Sequence, residues 1–143
     1  MAGMNSTTAN NILKLYLNAT PIANIADNAA SSPITNTYAS AHTSDPANGT
    51  QATNETSYTS YSRQALARSS GGWTVTSNAA SPAANIVFPV STGGTPTLTN
   101  MGVGKTSGTG ATDLFFSGGI TPNIVVSTSV TQIIASSSTI TLT

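Results

Sequence analysis

The chain has 143 residues, a formal net charge of zero and only 6% charged residues, namely four Lys or Arg and four Asp or Glu. This length suits one domain with a sizeable core, and 38% hydrophobic residues argue against a disordered chain. Four scattered cations cannot neutralise a run of phosphates, so we expect neither a nucleic-acid nor a membrane partner. With no cysteine and one histidine, we also expect no disulfide, metal or cofactor.

The first predicted element is a short N-terminal helix. The residues Asn5, Ser6 and Thr7 are good helix caps, and Pro21 closes the segment. The start lacks the features of a signal peptide, and no apolar run approaches the roughly 20 residues of a membrane span, which predicts a soluble protein that is not secreted. The helix carries apolar side chains that we expect to contact another chain: Ile12, Leu13, Leu15, Tyr16 and Leu17.

The segment from residue 18 to residue 57 is rich in Ala, Asn, Ser and Thr and contains few large apolar side chains. We therefore interpret residues 1–57 as the helix plus an extended arm of the same unit, ordered fully only when another chain supplies contacts. A strand is predicted at about 35–42. The turn formers Asp45-Pro46 and Asn48-Gly49 then predict a loop.

From Tyr58 the sequence shows short β-type runs at a spacing of about ten residues, among them "WTVTS", "NIVFPV", "NIVVSTS" and "TITLT". This spacing predicts that residues 58–143 form an antiparallel β-sandwich, jelly-roll-like in type. Alternation places Trp73 and Val75 on one face of a strand, and Ile140 and Leu142 on one face of the last strand. The dipeptide Gly71-Gly72 predicts a compact hairpin connection.

The stretch "GVGKTSG" at 102–108 contains the Gly-Lys-Thr that ends a phosphate-binding P-loop. That motif needs a glycine where this chain has Thr99, and a helix after the threonine. The residues that follow Thr106 are turn formers with too many glycines to continue a helix. We predict instead that "GKTSGTGA" is the tip of a β-hairpin and that Lys105 is a solvated loop residue.

No arrangement of titratable residues indicates an enzyme. His42 is the single histidine, and a structural role is the more common one for a histidine at a strand end. The four carboxylates each stand alone in loop-like sequence, where such side chains usually solvate turns. The sequence therefore predicts a protein without catalytic residues. The isolated carboxylates are Asp27, Asp45, Glu55 and Asp113.

Aromatic and arginine side chains are the remaining candidates for binding. Tyr58, Tyr61 and Trp73 could form a sugar-stacking platform, but core or interface packing is favoured because they fall in strand-like sequence. Arg63 and Arg68, five residues apart, lie on opposite faces of a straight strand. We expect one of them to point to solvent and the other to pair with an acid at a subunit contact.

The stretch "HTSDPANGTQATNETSYTSYSRQALARSSGGW", together with "NIVFPVSTGG" and "MGVGKTSGTGATDLFFSG", resembles a family of small tailed-phage virion proteins. These proteins are commonly labelled tail-fibre or structural protein. The similarity runs from about Ile34 to the C-terminus and implies a place in a virion. The resemblance supplies no catalytic motif.

We therefore predict a virion structural protein that acts by binding. The favoured role is a trimeric cement or decoration protein that binds the major capsid protein, because one compact β domain lacks the heptads or repeated shaft of a long fibre. The alternative is a tail-fibre or tail-tip protein that contacts other tail proteins and a host receptor. A carbohydrate-binding module is a second alternative. In the first two roles the protein is made in the host cytoplasm and located in the virion.

Overall fold

A computed structural model of the chain describes residues 6–22, 34–110 and 113–142. It contains one helix and nine strands in those ranges, and the sheet pairings whose register it resolves are all antiparallel. The prediction of a mainly-β fold with a short N-terminal helix is confirmed. The elements in chain order are α1 (Ser6–Leu17), β1 (Asn36–His42), β2 (Gln64–Ala67), β3 (Trp73–Thr76), β4 (Ala79–Pro82), β5 (Ile86–Phe88), β6 (Thr97–Gly104), β7 (Leu114–Val125), β8 (Gln132–Ile134) and β9 (Ile140–Thr141).

The chain divides into two compact units, each discontinuous in sequence. The first unit comprises Met1–Asn36, Leu66–Asn85 and Ala135–Thr143. The second comprises Thr37–Ala65 and Ile86–Ile134. The expected division between residues 57 and 58, and the sandwich arrangement of the strands, stay predictions.

In the first unit, α1 packs on β3 and β4 of a three-stranded sheet with the order β3-β4-β9. Ala9, Leu13 and Leu17 are fully buried and recur every four residues, so they form one stripe along the helix. Trp73 is fully buried on β3. Thr74 and Thr76, which alternate with it, are exposed. The predicted alternation along β3 is confirmed.

The C-terminus of α1 is closed by its own backbone and by Arg68. Ala19 has a φ of 53°, and the backbone N–H groups of Asn18 and Thr20 both donate to the Lys14 carbonyl, at 2.9 and 3.0 Å. The Arg68 guanidinium donates to the Tyr16 carbonyl at 2.7 Å and to the Leu15 carbonyl. A cation at this position also stabilises the negative end of the helix dipole.

In the second unit, a four-stranded sheet has the order β2-β1-β6-β7, and a two-stranded sheet pairs β5 with β8. β1 lies between β2 and β6, with Ser40 opposite Gly102 and Tyr38 opposite Gly104. The predicted strand at 35–42 is confirmed. Apolar residues on these strands are buried: Ala39, Ala41, Ile86, Phe88, Leu98, Val103 and Ile134.

Two expectations from the sequence differ from the structure. Gly71 and Gly72 form no hairpin between paired strands, because β2 pairs with β1 while β3 pairs with β4. The two glycines instead belong to a turn in which the Gly72 and Trp73 N–H groups donate to the Ser69 carbonyl, both at 3.0 Å. The segment 36–57 is also not a loose arm, since β1 has a strand on each side. The dependence on a partner remains a prediction only for residues before 36.

None of the helical sequence in the described ranges has the length and apolar character of a membrane span.

Candidate functional site

The most connected polar residues of the second unit surround a buried ion pair between Arg63 and Glu55. The Arg63 Nη2 lies 2.7 Å from Glu55 Oε2, and the Arg63 Nε donates to Oε1 at 2.8 Å, so the contact is bidentate. The side chains are only 1% and 8% exposed. The sequence predicted that an arginine pairs with an acid, but the acid belongs to the same chain and not to a neighbouring subunit.

Two further side chains form hydrogen bonds with this ion pair: Gln51, from the 43–57 loop, and Tyr61, from the segment after that loop. The Tyr61 hydroxyl donates to Glu55 Oε1 at 2.9 Å and accepts from the Ala41 N–H at 2.9 Å. Gln51 accepts from Arg63 Nη1 at 3.2 Å and donates to the Tyr38 carbonyl at 2.9 Å. Burial raises the pKa of Tyr61 strongly, so its hydroxyl stays neutral. We name these residues, Gln51, Glu55, Tyr61 and Arg63, the Arg63 cluster.

The Arg63 cluster also holds the loop between β6 and β7. Arg63 Nη1 donates to the Thr106 carbonyl at 3.2 Å, and Nη2 donates to the Gly110 carbonyl at 3.3 Å. The ends of the loop are joined by a bond from the Lys105 N–H to the Asp113 carbonyl at 3.2 Å. Their exposed side chains form an ion pair at 3.6 Å. One buried guanidinium therefore fixes an exposed loop at two points.

The stretch "GVGKTSG" does not have the structure of a P-loop. The stretch forms the end of β6 and the start of a hairpin loop, as predicted. The two strands that flank this loop, β6 and β7, pair with each other in antiparallel orientation. No helix follows Thr106 in the described residues of the loop. The Thr106 and Gly110 carbonyls accept bonds from a cation, whereas a P-loop directs its N–H groups toward an anion.

The two glycines at the start of that stretch are required by neighbouring polar side chains. A Cβ on Gly102 would lie 2.8 Å from both the His42 Nε2 and the Ser40 Oγ. A Cβ on Gly104 would collide with the Gln51 amide. The glycines therefore let β6 approach the polar side chains of β1 and of the following loop.

His42 is fully buried and has both ring nitrogens bonded. Its Nδ1 lies 2.8 Å from the Thr53 carbonyl, and its Nε2 lies 2.9 Å from the Ser40 Oγ. Because a carbonyl only accepts, Nδ1 carries the proton. Burial is the main cause that lowers the pKa of His42, which favours the neutral ring. In a neutral ring with the proton on Nδ1, Nε2 is an acceptor, so the Ser40 hydroxyl donates to it. Ser40 is itself fully buried, and the pair holds β1 to the loop.

The charged side chains of the Arg63 cluster contact protein atoms and do not form a metal site. The described part of the chain contains no group of three or more His, Cys, Asp or Glu residues that could hold a metal ion. The donors of Arg63 and the oxygens of Glu55 are directed at protein atoms. The chemical consequence of the arrangement is positional: it joins β1, the 43–57 loop and the β6–β7 loop.

Comparison with known proteins gives one family match that covers nearly the whole chain. The family model described as podophage GP4 fiber I protein gp80 matches residues 3–141. The chain belongs to this family. No curated protein matches it. The prediction of a phage virion structural protein family is therefore confirmed, and the family match extends over α1 as well as over the part from Ile34 onward.

The helix residues selected from the sequence occupy different positions in this fiber-family chain. Leu13 and Leu17 are fully buried against the chain's own sheet. Ile12 and Leu15 are half-buried, and Tyr16 is exposed. The apolar stripe of α1 is therefore occupied within the chain, and of these five residues Tyr16 presents the most surface to a partner.

The aromatic and arginine candidates are mostly internal. Tyr58 stacks edge-on against Tyr61 at 5.4 Å and donates to the Pro89 carbonyl at 2.8 Å, while Tyr61 stacks on Phe88 at 5.9 Å. Trp73 is fully buried. These three aromatic residues therefore form no exposed sugar platform. Contact of Arg63, Arg68 or the other interface candidates from the sequence with another chain stays a prediction.

Sequence reasoning missed Gln51 and the exposed apolar residues of β5 and β8. Nothing in "NGTQATNE" distinguishes Gln51 from the polar residues around it, because its burial depends on Gly104 in a strand more than 50 residues later. In the sequence, Val87 and Ile133 resemble any other apolar strand residue. A count of charges along the chain is the signal that could have drawn attention to them.

Proposed function

We propose that the chain is a non-enzymatic structural subunit of a fibre on a podophage virion. The observation that carries this proposal is the family match over residues 3–141, which leaves almost no part of the chain outside a family described as a fiber protein. The capsid cement role, favoured from composition and length, is the weaker reading because the family description names a fibre. The tail-fibre alternative takes its place.

The structure supports a role in binding and assembly. The buried charged pair of the second unit is directed at protein atoms, and its donors hold a loop whose residues 107–110 are exposed. Thr106 and Gly110 of this loop are held in place before any partner arrives, which lowers the entropy cost of association. In this proposal the fibre subunits form a homo-oligomer, with a trimer expected. They bind other tail proteins, and exposed loops of the fibre face a host surface receptor.

The test is to locate the protein on intact particles. Gold-labelled antibodies against the purified chain are applied to virions and imaged by electron microscopy, with antibodies against the major capsid protein as the control for head labelling. Label confined to fibres at the tail end is the expected result. Label spread over the whole head would overturn the proposal and restore the cement role.

A further inference from the structure

Charge is almost missing from the second half of the chain. From Ser69 to Thr143 the sequence contains only two charged side chains, Lys105 and Asp113. These two pair with each other at the β6–β7 loop. The rest of this half must be solvated by hydroxyls and amides, or covered by another protein.

In the first unit, hydroxyls do occupy the outward positions. Thr74 and Thr76 on β3 and Thr141 on β9 are all exposed, while Trp73 of the same sheet is buried. A sheet with one apolar and one polar face is the usual arrangement when one side meets water. This sheet therefore shows what the chain uses where a strand faces solvent.

The β5–β8 ribbon departs from that arrangement. Its buried face carries Ile86, Phe88 and Ile134 together with the buried side chain of Gln132. Its other face carries Val87 and Ile133, which are direct partners across the two strands and are 48% and 46% exposed. The outward pair of the ribbon is thus apolar, although the chain has 25 Thr and 20 Ser available for such positions.

Two further exposed valines lie where the two segments continue side by side. The Ser129 N–H donates to the Ser91 carbonyl at 3.3 Å, and Ser91 forms a parallel bridge with Thr128. Next to these contacts, Val90 is 39% exposed and Val130 is 52% exposed. We name Val87, Val90, Val130 and Ile133 the valine patch. Large apolar residues that are exposed along the same two adjacent segments mark an interaction site.

We propose that the valine patch is the surface through which copies of this chain bind one another. Contact between identical surfaces brings like charges together, which is destabilising. A surface whose strands and flanking segments carry no charge avoids that repulsion, and a net charge of zero leaves no long-range repulsion between copies. A charged partner, in contrast, would find no complementary charge on this surface.

The first experiment introduces a charge into the patch of the purified chain. Ile133→Lys should lower the association constant by at least about tenfold, since burying an unpaired ammonium is strongly unfavourable. Thr74→Lys is the matched control, because it adds the same charge at an exposed strand position of the other unit. Light scattering coupled to gel filtration over a range of concentrations gives the oligomeric state. A parent chain that stays monomeric at every concentration, or an Ile133→Lys chain that assembles like the parent, overturns the proposal.

A second variant reports the same contact without disturbing the fold. The chain has no cysteine, so Val87→Cys carries a single thiol. Its labelling by a maleimide should be about tenfold slower in the assembled protein than after dilution to monomers, because association covers the patch. Equal labelling rates in both states would show that another surface makes the contact. Both tests use the isolated chain, so a monomeric result would leave the fibre role standing and head labelling would leave this inference standing.

Discussion

At the scale of single residues, Arg63 and Glu55 show why a nearly uncharged chain keeps a buried ion pair. Glu55 neutralises Arg63, and the donors that remain on the guanidinium reach Gln51 and two loop carbonyls. An apolar pair of the same volume could pack as well, but it could not bond to the loop. The pair therefore contributes shape to the β6–β7 loop more than it contributes net stability.

Removal of one member of this pair should be costly. Glu55→Gln leaves the Arg63 charge buried without its counter-ion, so the free energy of unfolding should fall by about 3–5 kcal/mol. Asp113→Asn breaks the exposed pair with Lys105 and should cost less than about 1 kcal/mol. Urea unfolding measures both. Equal losses in the two variants would contradict a special role for the buried pair.

His42 should make stability decrease as the pH falls below about 6.5. Its folded pKa lies below its ordinary value of 6.5, so the unfolded chain binds the proton first as the pH falls. Stability is then complete above pH 6.5 and declines below it, until the folded ring is also protonated. Because His42 is the only histidine, a His42→Gln variant should lose this dependence. Urea midpoints that do not change with pH in the parent would show that burial does not perturb the ring.

At the scale of elements, the sequence predicts those whose information is local. The helix, β1 and the β6–β7 hairpin follow from capping residues, alternation and turn formers. Two features do not follow, because they depend on a partner strand. Gly71-Gly72 has hairpin composition but joins strands that pair elsewhere. In β7, residues 120–123 stand against a single residue of β6, between the pairs Leu98–Ile124 and Asn100–Gly119.

At the Arg63 cluster and at α1, too, the sequence predicts the residue types but not their partners. An arginine paired with an acid was predictable from composition, since charges are few and a buried one needs a partner. That the acid is Glu55 of the same chain was not predictable, because the 43–57 loop brings it back toward the segment that follows. The apolar stripe of α1 was visible in the sequence, but its partner sheet was not.

The hairpin glycines give a test at this scale. Gly102→Ala places a methyl group 2.7 Å from Leu114 Cδ1 and 2.8 Å from His42 Nε2, and should cost about 1–3 kcal/mol of stability. Gly108→Ala is the control, because nothing lies within 4 Å of its new methyl group. The control should change stability by less than about 0.5 kcal/mol. Urea unfolding of the two variants compares them, and similar losses would refute the close packing inferred for β6.

At the scale of the whole molecule, a net charge of zero sets how the protein responds to salt. Binding built on apolar contact should change little between about 50 and 500 mM salt, whereas binding built on many ion pairs is screened. The measurement mixes the purified chain with particles that lack it, at both salt concentrations, and quantifies the bound protein after sedimentation. Loss of binding at the higher concentration would indicate an electrostatic attachment. The isolated Lys105–Asp113 pair is too exposed to change this expectation.

The discontinuity of both units has a consequence for biosynthesis. β4 has β9 as one of its two neighbours, and β1 pairs with β6, whose residues follow it by about 60 positions. A nascent chain on the ribosome therefore cannot complete the first unit until residue 141 has emerged from the exit tunnel. Folding of this unit must therefore wait for β9 and is slowed by the closure of these long loops. Until then the partly made protein exposes unpaired strands, so the newly synthesised chain needs protection from aggregation.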